Sequence, residues 1–322
     1  NLDRYIGGAE QASSGKKEEK PAAKKAEDTP VDLSPLKSIN AKGKLQVGAL
    51  EVHGLKLADV SAQLNAANGR VAVAPHSAKL YEGTISGDVT VDANRNHITL
   101  KEQLQNVAIG PVLRDFAQQD RLEGKGNVAL DVTTAGATVN AMKRALAGTA
   151  KVNLKDGAIK GINIGEVIRK ARNALGGGGG SQAAAQGETS GKPQTDFTEL
   201  SASFNIKNGI AHSEDLDAKA PLFRLGGAGD INIPDNSLNY TVKASIVATS
   251  QGQGGKERDR LAGLTVPVRL SGTFDDLKYD VDMRGMASQA AKSEVGEKLK
   301  DKVEERLKDD KLKDKLKGLL GR

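Results

Sequence analysis

Along most of the chain the apolar side chains recur at every second position. Over Leu200, Ala202, Phe204 and Ile206 the intervening residues are Ser201, Ser203, Asn205 and Lys207, so one side of an extended segment is wholly apolar and the other wholly polar. Successive side chains leave a strand on opposite sides, and a period of two therefore predicts a half-buried strand. The split recurs in Leu238, Tyr240, Val242, Ala244 and Ile246 against Asn239, Thr241, Lys243 and Ser245. It recurs again in Ile85, Val89 and Val91 against Ser86, Asp88, Thr90 and Asp92. Val128, Leu130 and Val132, then Val266, Val268 and Leu270, then Tyr279, Val281 and Met283 extend the series. One apolar and one polar face is the pattern of antiparallel strands.

Turn signals separate these segments at short intervals: Ala67-Asn68-Gly69, Lys155-Asp156-Gly157, Lys207-Asn208-Gly209 and Pro234-Asp235-Asn236. Asn-Gly and Asp-Gly accept the positive φ of tight hairpins, which predicts a meander. Three helical patches interrupt it, at about 111–119, 139–146 and 165–175. The last sets Val167, Ile168, Ala171 and Leu175 on one side, with Gly176 as a C-terminal stop. There is also an internal repeat. Val60-Ser61-Ala62-Gln63-Leu64-Asn65-Ala66-Ala67-Asn68-Gly69 aligns with Leu200-Ser201-Ala202-Ser203-Phe204-Asn205-Ile206-Lys207-Asn208-Gly209, and further on Gly87-Asp88-Val89 meets Gly229-Asp230-Ile231. A repeated strand module with one apolar face predicts an elongated, curved antiparallel sheet, groove-like and built from repeats, with a few short helices.

Two stretches lack large apolar side chains and read as linkers that bury too little surface to offset their ordering entropy. Residues 1–32 are a low-complexity lead-in rich in Lys, Glu, Ala and Pro, and 176–194 begins with five consecutive glycines. They divide the chain into a first β half over 33–175 and a second over 195–285, followed by a charged tail over 286–322. In the tail, Val295, Leu299, Val303 and Leu307 repeat every four residues amid Lys and Glu, the mark of an amphipathic helix. Leu312, Leu316, Leu319 and Leu320 lie on a different arc, which places a kink or a second short helix near Asp309-Asp310. Packing on the sheet end and contact with a membrane surface are both open to such a helix.

Composition narrows the chemistry. Aromatics make up 3% and Gly numbers 37, so the core is aliphatic; with Cys 0 there is no disulfide, thiolate metal site or cysteine nucleophile. The net charge of +6 comes from 47 Lys plus Arg against 41 Asp plus Glu, with both signs interleaved and few aromatic stacking platforms, which argues against nucleic acid as a partner. His212-Ser213-Glu214 has the H-x-E spacing of zinc deaminases without the cysteine pair that chemistry needs. The glycine run 176–180 follows a helical pattern and does not join a strand to a helix, so it is no phosphate loop. Asp275 and Asp276 are neighbours in a turn, not a carboxylate dyad. Gly226, Gly227 and Gly229 read as places where the sheet curves. No catalytic constellation, metal site or cofactor motif emerges, and the expectation is a protein that is not an enzyme.

Two motifs carry a resemblance. Lys79-Leu80-Tyr81-Glu82-Gly83-Thr84-Ile85-Ser86-Gly87 leads into Val91-Asp92-Ala93, and Lys155-Asp156-Gly157-Ala158-Ile159-Lys160-Gly161-Ile162-Asn163 leads into Ile168-Arg169-Lys170-Ala171. Together with Leu2-Asp3-Arg4-Tyr5 before the Ala/Pro-rich lead-in, they resemble the C-terminal region of the AsmA family of Gram-negative envelope proteins, over about 33–283. The resemblance implies a periplasmic region of a protein held in the inner membrane by an N-terminal helix that this sequence does not include. The broader group, with TamB, consists of β-groove bridges that carry phospholipid towards the outer membrane, and the family is also associated with outer-membrane protein assembly.

Under that expectation the partners are phospholipid acyl chains, held by a face that offers area and no directional bonds. The lipid-groove candidates are Val89, Leu130, Phe204, Ile231, Tyr240 and Val242. The rival expectation is a closed β-sandwich serving as a structural or assembly factor for outer-membrane proteins, in the regulation of protein targeting, with an assembly partner in place of lipid.

Overall fold

The computed structural model describes residues 28–168, 193–221, 223–246 and 265–281. The strands are β1 (Ala41–Val52), β2 (Leu55–Ala67), β3 (Arg70–Leu80), β4 (Gly83–Asp92), β5 (His97–Ala108), β6 (Leu122–Ala135), β7 (Ala147–Lys160), β8 (Gln194–Lys207), β9 (Ile210–Lys219), β10 (Phe223–Asn232), β11 (Ser237–Ile246), β12 (Thr265–Thr273) and β13 (Leu277–Val281). All belong to one 13-stranded sheet whose spatial order is the chain order, every pair antiparallel. The meander expected from the alternation is therefore present, and it is open: β1 and β13 are its two edges. The thirteen strands form a single sheet, so the closed sandwich does not describe it.

The repeated segments are the β2–β3 and β8–β9 hairpins. Asn68 (φ 52) with Gly69 (φ 75), and Asn208 (φ 51) with Gly209 (φ 76), make near-identical two-residue turns in the left-handed region that Asn and Gly tolerate. Pro234-Asp235-Asn236 joins β10 to β11, and Asp275 and Asp276 lie in the turn between β12 and β13. One expected turn is corrected: Asp156-Gly157 lies inside β7. Pairing with β8 continues through Lys155↔Glu199 and Gly157↔Phe197, while the register against β6 slips between Glu123 and Lys125. Asp156 takes φ 48, and a Cβ on Gly157 would stand 2.1 Å from the Glu123 carbonyl oxygen. The motif thus serves a bulge and a close strand approach. Bulges at Asp59 and Asn106, both with positive φ, lie towards the same end of the strands, and bulges bend and twist the strands that carry them.

Among the described residues helices sit only at strand ends. The crossover from β5 to β6 is α1 (Ile109–Ala117), two residues earlier than the periodicity predicts, and that from β6 to β7 is α2 (Val139–Ala145), whose N-cap Thr138 Oγ1 accepts from the Ala141 N–H at 3.2 Å. The third patch is described over 164–168, where it is helical. Its continuation, the glycine-rich stretch, most of the lead-in and the tail lie outside the described residues. No helix among the described residues is long and apolar enough to cross a membrane.

Candidate functional site

In an antiparallel pair, directly opposed residues share a face, so the registers trace rows of side chains across the sheet. One row reads Val89, Leu100, Val132, Gly148, Ile206, Ala211, Ile231 and Leu238. A parallel row reads His76, Gly87, Glu102, Leu130, Ala150 and Phe204. Further along the sheet, Ser213, Gly229, Tyr240, Leu270 and Tyr279 stand in register with one another. Val242 is opposed by Gly227 on one side and Val268 on the other. All six candidates named from the alternation therefore stand on one face. The opposite face carries the polar residues, including the ion pairs Lys79–Asp59, Lys101–Asp131 and Lys219–Glu199.

Among the described residues the apolar face is covered along one end and uncovered elsewhere. At the end where α1 sits, Ile162, Ile164, Val167 and Ile168 of the helical turn pack into a cluster with Phe197, Leu200, Leu225, Val266 and Val268. Thr195 fastens the turn: its hydroxyl donates to the Ile162 carbonyl at 2.8 Å and accepts from the Ile164 N–H at 3.0 Å. Tyr240 and Val242 belong to this cluster and are buried. The apolar side of that helix was legible from its periodicity, whereas its seat on the sheet was not.

Away from that end Val132, Ala150, Ile206 and Ala211 form a second, smaller cluster, and Leu130, Phe204 and Ile231 pack against it half-buried. Val89 is half-buried outside both clusters. The uncovered apolar surface reaches both edges, with Leu45 of β1 45% exposed and Tyr279 of β13 46% exposed. At about 4.8 Å per strand the sheet extends roughly 60 Å across its strands.

Among the described strands the face carries two charged side chains, His76 and Glu102, which the alternation of aliphatic residues had not singled out. They lie in register on either side of Gly87. His76 Nε2 lies 3.1 Å from Glu102 Oε2 and Nδ1 lies 3.3 Å from the Val73 carbonyl oxygen, so in its protonated form the imidazolium donates to both. The side chains are 14% and 5% exposed. The hydrogen bond to Glu102 raises the His76 pKa above its ordinary value against the opposing effect of burial. Glu102 Oε1 is shielded from solvent and has no partner.

The other histidine with acidic neighbours, His212, is exposed on the polar side, bonded to Asp230 at 2.7 Å and Glu214 at 3.3 Å. No group of three His, Asp or Glu among the described residues is arranged to hold a metal. A concavity of about 470 Å³ near Lys56, Lys79, Tyr81 and Gln105 lies at strand ends towards the polar face.

The architecture is thus an open, curved antiparallel meander whose apolar face is covered at one end. The AsmA family model matches residues 8–216, and the chain belongs to that family. It is 26% identical over 318 residues to Protein AsmA of Escherichia coli (strain K12), a match covering 94% of this chain and 50% of that protein. The chain therefore spans about half the length of this relative. No solved structure matches.

Proposed function

We propose that this chain is a section of a hydrophobic β-groove, in the periplasmic region of an inner-membrane-anchored envelope-biogenesis protein, that carries phospholipid between the inner and outer membranes. The observation that carries the reading is the half-buried apolar band running across an open sheet from β1 to β13. Apolar surface of that extent is unusual on a protein with nothing to cover it.

Acyl chains fit the band chemically. Lipid tails are as apolar as Leu and Val, so moving a chain from a bilayer onto this face changes its free energy little, and successive rows offer it similar surroundings. Such weak, uniform binding suits movement along a track better than capture. Membership of the AsmA family supports an envelope setting.

The test is extraction of the purified protein followed by lipid mass spectrometry, with Ile231→Asp and Val242→Lys beside the outward control Asn239→Lys. Diacyl phospholipid on the parent protein and the control, reduced in a folded Ile231→Asp variant, supports the groove. Val242 is buried under the covered end, and its variant reports on folding instead. A parent protein free of lipid overturns the reading.

A further inference from the structure

We propose that Glu102, held by His76 across Gly87, is a headgroup-reading station on the apolar face, and that its free oxygen Oε1 takes the primary ammonium of an ethanolamine phospholipid. This rests on the groove reading above and adds a selectivity to it. The geometry supplies the argument.

A carboxylate presents several acceptor positions on two oxygens, and here Oε2 is engaged by His76 while Oε1 is buried without a partner. An ionised oxygen so placed is costly unless something donates to it. The imidazole cannot also serve an anion. Both its nitrogens face acceptors, the Glu102 carboxylate and the Val73 carbonyl, so both donors are in use. The pair therefore has one open valence, an acceptor, set among aliphatic neighbours. The complementary ligand is an apolar molecule ending in a hydrogen-bond donor, and a cationic donor makes the stronger, charge-assisted bond.

Choline carries the same charge but no N–H, and a glycerol headgroup brings hydroxyls without the cation. The site is also prepared sterically. A Cβ on residue 87 would lie 2.8 Å from Glu102 Oε2 and 1.9 Å from the Lys101 carbonyl oxygen, so glycine leaves the lane through which Glu102 reaches His76. On the far side Glu102 is opposed by Leu130, which is only half-buried.

The experiment measures binding of dioleoyl phosphatidylethanolamine, phosphatidylcholine and phosphatidylglycerol to the full chain by native mass spectrometry. It uses the parent protein, Glu102→Gln, and a His76→Leu/Glu102→Leu double variant that keeps the lane filled with apolar groups should the single variant fold poorly. The expected result is an ethanolamine preference of about tenfold over choline in the parent, lost in both variants with choline-lipid binding unchanged. Equal binding of all three lipids to the parent overturns the station while leaving the groove intact. Equal preference for ethanolamine and glycerol headgroups overturns the ammonium assignment. No binding of any lipid removes the groove reading on which the station stands.

Discussion

The two halves of the sheet are built alike and differ at one point that matters. In the first half His76, Gly87 and Glu102 stand in register on β3, β4 and β5; in the second Ser213, Gly229 and Tyr240 occupy the corresponding places on β9, β10 and β11. Both glycines have no room for a Cβ, since at 229 one would meet the Asn239 carbonyl oxygen at 2.5 Å and the Tyr240 ring at 2.8 Å. In each half a large polar side chain from the following strand lies over the glycine, and in each its terminal oxygen is buried without a partner: Glu102 Oε1 and Tyr240 Oη. One half uses the arrangement for a charged pair and the other for an aromatic ring in an apolar cluster. A repeated backbone therefore fixes where a side chain is inserted, and the residue chosen decides whether the place is polar or packed.

The largest effect expected from breaking this comparison is at His76. Replacing it by Ala leaves the Glu102 carboxylate buried with neither oxygen compensated, and loss of one partner of a buried pair costs about 3–5 kcal/mol. The double variant His76→Leu/Glu102→Leu removes both charges and is expected to restore most of the loss, because apolar replacement of a buried pair is close to neutral. Urea denaturation of the three proteins checks this. A single variant as stable as the parent would falsify the view that the pair is electrostatically isolated.

Much of this was legible in the sequence, and the illegible parts have identifiable causes. Alternation sufficed wherever a strand keeps its phase, as over Leu200 to Ile206, whose four apolar residues do share the inner face. It was insufficient at bulges. In β3 the phase slips between Val73 and His76, so counting by twos from Val73 sends His76 to the wrong side. Asp156-Gly157 carries turn chemistry that the structure spends inside a strand, because neighbouring strands on both sides hold β7 extended. Glu102 is a different case: Ile98, Leu100 and Leu104 stand in phase with it, so its inward direction was readable, and a search for aliphatic residues passed over it. The fastening of 162–168 by Thr195 joins residues 33 and 31 apart in sequence, a contact that no local pattern encodes.

A smaller effect is expected where the two halves repeat their hairpins. Gly69 and Gly209 have φ 75 and 76, so Ala strains both turns equally. Their surroundings differ. A Cβ at 69 meets the side-chain amide of Asn94 at 2.7 Å, which can turn away, whereas at 209 it meets the Lys143 backbone carbonyl oxygen at 2.4 Å. Gly209→Ala is expected to lower stability by about 1–3 kcal/mol more than Gly69→Ala. Equal denaturation midpoints would show that the last turn of α2 yields freely.

The pH dependence follows in size. His76 has a raised folded-state pKa, chiefly through its bond to Glu102 and with lesser help from Asp88, so its contribution is fully present below the unfolded histidine value of about 6.5. It is lost as pH rises through the folded value. His212 shifts in the same direction through Asp230 and Glu214 but is exposed and screened. Thermal melting from mildly acidic to mildly alkaline pH should therefore fall in the parent, and the fall should be shallower in the His76→Leu/Glu102→Leu variant. A slope unchanged by the double variant assigns the effect elsewhere.

The smallest effect is expected from Tyr240→Phe, and it separates the halves most cleanly. Its ring lies over Gly227 and Gly229, where added Cβ atoms would come within 2.9 and 2.8 Å of ring carbons, so the aromatic body, with Leu216 beside it over Gly227, fills the space above both glycines. Its hydroxyl is near Ser213 but outside hydrogen-bonding geometry, and burial raises its pKa. The Ser213 hydroxyl is itself engaged, donating to Asp215 at 3.3 Å. Tyr240→Phe keeps the ring and removes only the unpartnered oxygen, so the loss of packing and the loss of a hydrogen bond are both close to zero. The denaturation midpoint should stay level or rise, with a change under about 1 kcal/mol. Tyr240→Ala empties the lane over both glycines and should cost about 3–5 kcal/mol, as for other buried aromatic residues. In the first half the order reverses, because there the polar atoms hold the side chains and the ring-sized volume is absent. A loss of several kcal/mol in Tyr240→Phe would mean that the hydroxyl has a partner in solution, and that this half of the sheet, like the first, is held by a polar contact on its apolar face.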